Sequence, residues 1–350
     1  MLARWIALVT WALLGVGCKC ASPSPSRVSV FDVHQHVSPG AMKHARELNL
    51  AHGITRIVQL SGGWPGAGLE ESLAEAKSVS HDGFEVVVFA NPPFGHLEPA
   101  MLVEGLVEAK RLGARGVKIF KSFGLSSRGP DGALLAVDDP AFDAFFEKCG
   151  ELGLPVSIHV GDPVAFWLPV NEQNERVDEL TVHPGWSNYG KPLPTWEALF
   201  QAYERRVARH PKTTFIGVHF GNAPEDPQRV AAMLEKYPNL FVDTGARVPE
   251  LGRRDVREIF LKYQDRILFG TDLGVGTREF DLMLGSRGAS APNAADTERF
   301  FDSTWKFFES GEKAIPSPTP IQGRWSIDGI SLPREVLEKL YRGNAERLLK

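Results

Sequence analysis

An α/β fold closed into a ring of eight parallel strands, the (β/α)8 or TIM barrel, is the architecture the sequence predicts. Three observations support it. A short apolar, β-branched run followed by an amphipathic helical pattern recurs eight times after Val28. The runs are continuously apolar rather than alternating, the pattern of parallel strands buried on both faces. No Gly-rich nucleotide fingerprint follows the first run, which counts against the alternative, an open doubly wound sheet. Such a barrel takes about 250 residues plus insertions, so the 350 residues of this chain need no second domain.

The strands are read at Val28–His34, Ile54–Leu60, Glu85–Ala90, Gly116–Phe120, Pro155–His159, Thr214–His219, Leu240–Thr244 and Arg266–Gly270. The first helix is read at Gly40–His52, opened by Ser38-Pro39 and closed by Gly53. The next are Leu69–Ser80, Leu97–Leu112, Asp139–Leu152, Trp196–His210, Pro227–Tyr237 and Gly252–Tyr263, with Ala295–Glu309 and Pro333–Leu349 closing the chain. Two long connections break the rhythm. Asp162–Pro194 follows the fifth strand and carries Trp167, His183, Trp186 and Tyr189. Leu273–Pro292 follows the eighth and is rich in Gly and Ala. Both leave the C-terminal ends of strands, where barrel enzymes build their sites, and connections this long often serve as lids.

Composition narrows the function classes. The chain is 43% hydrophobic with a formal charge of −4 and a pI near 6.2. No basic excess points to nucleic acid, and no charge run marks an interaction tail. The N-terminal stretch MLARWIALVTWALLGVG has one early Arg and an apolar run from Trp5 to Gly17. That is shorter than the roughly 20 residues needed to span a bilayer, so residues 1–20 read as a signal peptide. Gly15-Val16-Gly17-Cys18 resembles a bacterial lipoprotein signal, with Cys18 lipidated. A plain secretory cleavage near Ala21 is the alternative. Residues 21–27, rich in Ser and Pro, form a tether, and 28–350 the barrel. The protein is therefore expected in the periplasm or cell envelope, touching membrane only through the lipid anchor. Of three cysteines, only Cys149 lies in the body, so no disulfide framework is available.

Histidines carry the chemistry. In FDVHQHV, His34 and His36 sit two apart on one strand, so with Asp32 they are expected on one face. His159 ends the fifth strand in PVSIHVGD, His219 the sixth in TFIGVHFGN, and Asp272 the eighth in ILFGTDLG. The residues two before them, Ser157, Gly217 and Gly270, are small, as crowding inside a barrel requires. Strand ends form one ring in a closed barrel, and neutral imidazole with carboxylate suits a divalent metal. Each residue alone could be a hydrogen-bonded interior group. His44, His52, His81 and His210 read as ordinary surface residues.

FDVHQHV, SIHVGD, GVHFGN, FGTDLG and the terminal YRGNAERLL resemble the amidohydrolase superfamily, in the branch of aminocarboxymuconate-semialdehyde decarboxylase relatives. The resemblance spans Val28 to Lys350. It implies that His34, His36, His159 and Asp272 hold one divalent ion, zinc, manganese or iron. It implies that His219 meets the activated water or a second metal, and that Asp272 accepts the proton of that water. Lys118 in RGVKIFKSFG is open to three readings: carboxylated between two metals, bound to a substrate carboxylate, or paired with an acid in the barrel. Arg247 after the seventh strand, Trp64 after the second and Trp186 after the fifth are candidate substrate contacts; a surface or structural role for Arg247, and packing that fixes its own loop for each tryptophan, are the alternatives. They suit a small anionic or aromatic molecule. The implied activity is metal-dependent hydrolysis of an ester, lactone or amide. The competing readings are nonoxidative decarboxylation and a non-catalytic exported metal or ligand carrier. Related barrels often form homo-oligomers.

Overall fold

The structure, a computed structural model, describes residues 28–161 and 163–349. The signal segment, Cys18 and the tether lie outside the described residues.

Eight parallel strands run in chain order: β1 (Val30–Val37), β2 (Ile54–Gln59), β3 (Glu85–Ala90), β4 (Gly116–Ile119), β5 (Val156–Ile158), β6 (Phe215–Gly217), β7 (Leu240–Asp243) and β8 (Ile267–Leu268). The ring closes where β8 meets β1: Val33 N–H donates to Phe269 O at 2.9 Å, and Asp272 N–H to His34 O at 2.8 Å. The expected TIM barrel is present. Part of the expected loop after the eighth strand is also wall. β9 (Leu273–Val275) pairs with the upper half of β1, and β10 (Leu282–Leu284) folds back antiparallel against β9.

Helices α1 (Met42–Ala51), α2 (Leu69–Val79), α3 (Pro99–Leu112), α4 (Asp143–Glu151), α5 (Trp196–Arg209), α6 (Pro227–Lys236), α7 (Arg257–Lys262) and α8 (Ala294–Glu309) lie between and after the strands. Capping fixes several starts. Thr195 accepts from Ala198 N–H, Asp226 from Arg229 N–H with Pro227 behind it, and Asn293 and Asp296 form a reciprocal capping box. Ser38-Pro39 does not start α1. The chain first turns through Gly40, whose N–H donates to Glu75, and the helix begins at Met42. Nor is His210 a surface residue: it is 3% exposed.

One departure matters for function. Between two paired positions β1 advances by three residues, from Asp32 to Gln35, while β2 advances by two, from Ile57 to Gln59. This is a β-bulge, which breaks the two-residue alternation. Phe31 and Val33 pack with Val58, Leu60, Val87, Phe89, Ile216 and Leu268 in an apolar cluster. His34, within the bulge, and His36, after it, share a side, and Asp32 does not join them. Its carboxylate accepts from Gln35 Nε2, which also reaches Asn49 of α1.

Candidate metal centre

β1 delivers His34 and His36 to the C-terminal mouth. His34 is 1% exposed, and its Nδ1 lies 3.0 Å from Asp243 Oδ2 at the end of β7. That carboxylate accepts a hydrogen bond from Nδ1–H and leaves the Nε2 lone pair facing inward, as is usual for a metal-binding imidazole. His36 is oriented likewise, by Ser61 Oγ at 2.7 Å from its Nδ1. Both Nε2 atoms lie 3.4 Å from one oxygen, Asp272 Oδ1. The three ligand atoms all fall within 4.8 Å of one another. Ligands 2.0–2.1 Å from a tetrahedral ion stand about 3.3 Å apart. The 3.4 Å separations match that edge, so the trio fits a divalent ion.

Two glycines make the room. A Cβ at Gly245 would lie 2.6 Å from His34 Nδ1, and one at Gly270 would lie 2.9 Å from His34 Cβ. Asp272 has a left-handed backbone, φ +58°, which a non-glycine residue adopts only when held. Asp32 supplies the hold: it accepts from Thr271 N–H at 3.1 Å, Thr271 Oγ1 at 2.5 Å and His34 N–H at 2.9 Å. Burial pushes Asp32 up to about 6, against those hydrogen bonds. Burial also acts to raise Asp272, but His34, His36 and Arg247 outweigh it and hold the carboxyl down at about 2. Asp272 is thus an ionised acceptor at neutral pH.

His159 and His219 stand apart from the trio, beyond the ends of β5 and β6. Their ring centroids are 4.3 Å apart, and His219 is 4.9 Å from His34. Among the described residues, His159 is not in the group whose ligand atoms converge within 4.8 Å. His219 Nδ1 lies 2.8 Å from Gly245 O. Burial, then the charges of Arg247, His159, His34 and Lys118, keeps His219 well below the ordinary histidine range, hence neutral.

Lys118 and Arg247 are buried at the mouth, 1% and 4% exposed. Lys118 Nζ is 5.7 Å from the Phe120 ring, which is 5.9 Å from the His36 ring. A cleft of about 710 Å³ opens beside His36 against the β9–β10 hairpin, with Arg278, Phe280, Met283 and Arg287 in its walls. That volume suits a small organic ligand. The tryptophans behave differently from expectation. Trp64 is not a pocket wall: it is 6% exposed, and its indole packs so closely on α3 that a Cβ at Gly105 would sit 2.5 Å from the ring. Trp186 is 38% exposed and stacks on His183 at 4.0 Å, fixing its own loop.

Sequence reasoning missed Asp243, Asn222 and the scaffold role of Asp32. Asp243 had a usable signal: an acid closing the otherwise apolar strand LFVD.

The amidohydrolase family model matches residues 69–350. The chain belongs to the amidohydrolase family. The match starts after β1, so His34 and His36 enter on the geometry above. Members of this superfamily generally bind a divalent metal. No curated protein matches this amidohydrolase in sequence. Among solved structures, an uncharacterised TIM-barrel protein from Bordetella bronchiseptica is 17% identical with a TM-score of 0.52, covering 92% of this chain and 98% of its own. A dihydroorotase from Campylobacter jejuni is 13% identical with a TM-score of 0.52, covering 91% and 82%. Another amidohydrolase is 15% identical with a TM-score of 0.51, covering 92% and 99%. At these identities the likeness establishes the shared fold.

Proposed function

We propose that this amidohydrolase is a metal-dependent hydrolase acting on an ester, lactone or amide bond of a small organic molecule. The observation that carries the proposal is the convergence of His34 Nε2, His36 Nε2 and Asp272 Oδ1, with 3.4 Å from each nitrogen to the oxygen. His34, His36 and Asp272 would hold the ion, zinc by preference and manganese or iron as alternatives, with His159 as a further ligand. When bound, a divalent cation lowers the pKa of its water from 15.7 to about 7 and polarises a substrate oxygen. Asp272, ionised at neutral pH, takes the proton from the attacking water and returns it to the leaving group. Neutral His219 donates a hydrogen bond from Nδ1–H to Gly245 O, which leaves the Nε2 lone pair to accept a hydrogen bond from the attacking water and orient it. Arg247 and Lys118 attract and orient an anionic substrate.

Decarboxylation is the second reading. The two buried cations beside the trio, Lys118 and Arg247, favour it because a substrate carboxylate would find both there. A Lys118 carboxylated between two metals is the third option for that residue.

The test is metal content per chain, on protein purified without added metal or chelator, with turnover measured on ester, lactone, amide and aromatic-acid panels. About one metal per chain with hydrolysis supports the leading reading. About two favours the carboxylated Lys118. Carbon dioxide release selects decarboxylation. Protein that takes up no zinc when it is offered back overturns the metal reading.

We further propose export, with the segment before Cys18 removed and Cys18 lipidated as the new N-terminus. Among the described residues no helix is long and apolar enough to cross a membrane. Fractionation of cells making Cys18→Ala should move the protein from membrane to soluble fractions, and unchanged partition would overturn the anchor.

A further inference from the structure

We propose that Asn222 is a positioning residue that sets the orientation of His159 and His219 together. It rests on the metal-centre reading for its purpose, and its geometry stands independently.

β5 and β6 pair only as far as Ile158 and Gly217. Past Gly217 the β6 chain leaves the sheet, so the next groups of β5 lose their strand partner. The Asn222 side chain replaces it. Its Oδ1 accepts from Val160 N–H at 2.9 Å, and its Nδ2 donates to Ile158 O at 3.2 Å. These two groups flank His159, whose own N–H donates to Ile119 O of β4 at 3.0 Å. A primary amide offers one donor and one acceptor side by side, as a strand peptide does, so it serves here as a one-residue extension of β6. Asn222 is fully buried.

The same residue ends an unusual turn. His219, Phe220, Gly221 and Asn222 are all left-handed, with φ of +54°, +55°, +70° and +64°. Non-glycine residues in this region are costly and occur mostly singly. Four in succession therefore need anchors at each end. At one end His219 N–H donates to Asp243 Oδ1 at 3.0 Å. At the other, Asn222 N–H closes the turn on Val218 O at 2.8 Å while its side chain grips β5. One amide thus holds the backbone of both histidines, and Asn is the non-glycine residue that best tolerates the left-handed conformation. Asp would keep the acceptor for Val160 and lose the donor to Ile158. Gly would keep the backbone and lose both.

The experiment uses metal-free full-length protein with ¹³C-labelled histidine, comparing wild type with Asn222→Gly and Asn222→Asp by NMR and amide hydrogen exchange. In Asn222→Gly the ring resonances of His159 and His219 should shift while those of His34 and His36 hold. The Val160 amide should exchange at least about tenfold faster. In Asn222→Asp the Val160 amide should stay protected while His159 still moves. If Asn222→Gly does not fold, the Asp variant alone decides by that pair of signals. Unmoved His159 and His219 resonances overturn the proposal. So does a shift of all four histidines together, which would mean general loosening. No turnover enters these readouts, so they hold or fail separately from the proposed reaction.

Discussion

The β1/β8 seam and the β5/β6 seam both bring histidines to the same mouth, and they do so by different means. At β1/β8 the strand continues for eight residues, Val30–Val37, and His34 and His36 leave it on consecutive same-side positions. At β5/β6 each strand stops after three residues, and His159 and His219 stand beyond the ends. The first pair converges on Asp272. The second pair sits ring to ring, 4.3 Å apart, oriented by loop hydrogen bonds. A strand sets side-chain direction through its own periodicity. A loop needs outside groups such as Asp243 and Asn222 to set it.

The largest expected effect separates the two seams. His34→Gln, His36→Gln or Asp272→Asn should leave zinc below about 0.1 per chain after dialysis, because each removes one of three converging ligands. His159→Gln should weaken zinc affinity by less than any of these. Equal losses, read by competition with a chelator, would show that β5 closes onto the ion and that the distinction fails. Next is Asp243→Asn, which touches both seams through His34 Nδ1 and His219 N–H. It should cost about 10- to 100-fold in metal affinity or activity. A loss in neither would remove the carboxylate from the centre.

A third region should affect stability and leave the site alone. Trp64→Ala empties the packing against α3 and should destabilise by about 3–5 kcal/mol. Trp186→Ala, exposed, should stay within about 0.5 kcal/mol. Denaturant melts test both, and turnover of the folded Trp64 variant should match wild type.

What was legible in the sequence follows the same division. Strand and helix periodicity gave the barrel and its order. Alternation held for His34 and His36 and failed for Asp32, because the register shift between Asp32 and Gln35 separates Asp32 from them. A one-residue bulge leaves no mark in an apolar run. Position at a strand end located His159, His219, Lys118 and Arg247 at the mouth, but their orientations depend on partners far away in sequence. Asp243 is 209 residues from His34, a pairing that only the closed ring creates. Trp64 stayed open between pocket wall and loop anchor because an aromatic after a strand serves equally as either, and Gly105 as its seat is invisible before folding.

The smallest effect concerns acid stability, and it distinguishes the helix layer from both seams. His210, ending α5, has Arg206 Nη1 at 2.9 Å from its Nε2 and Asp143 Oδ1 at 3.4 Å. The Arg206 guanidinium donates, so the ring nitrogen must accept, which requires neutral imidazole. Burial first, then the Arg206 charge, lowers His210 below its ordinary 6.5, with Asp143 opposing. The unfolded chain therefore binds a proton that the folded chain resists. Stability is full above the unfolded value of about 6.5 and declines as pH falls below it, until the folded value is passed. His36 and His219 are lowered in the same direction by burial. Asp32, raised to about 6, works in the opposite direction over this range, so the readout is a difference: from pH 7 to pH 5 metal-free His210→Gln, which keeps an acceptor for Arg206, should lose less melting temperature than metal-free wild type. Zinc content at pH 7 should not change. A slope identical in wild type and His210→Gln would assign the acid sensitivity to the seams, where protonating the histidines would also release the metal.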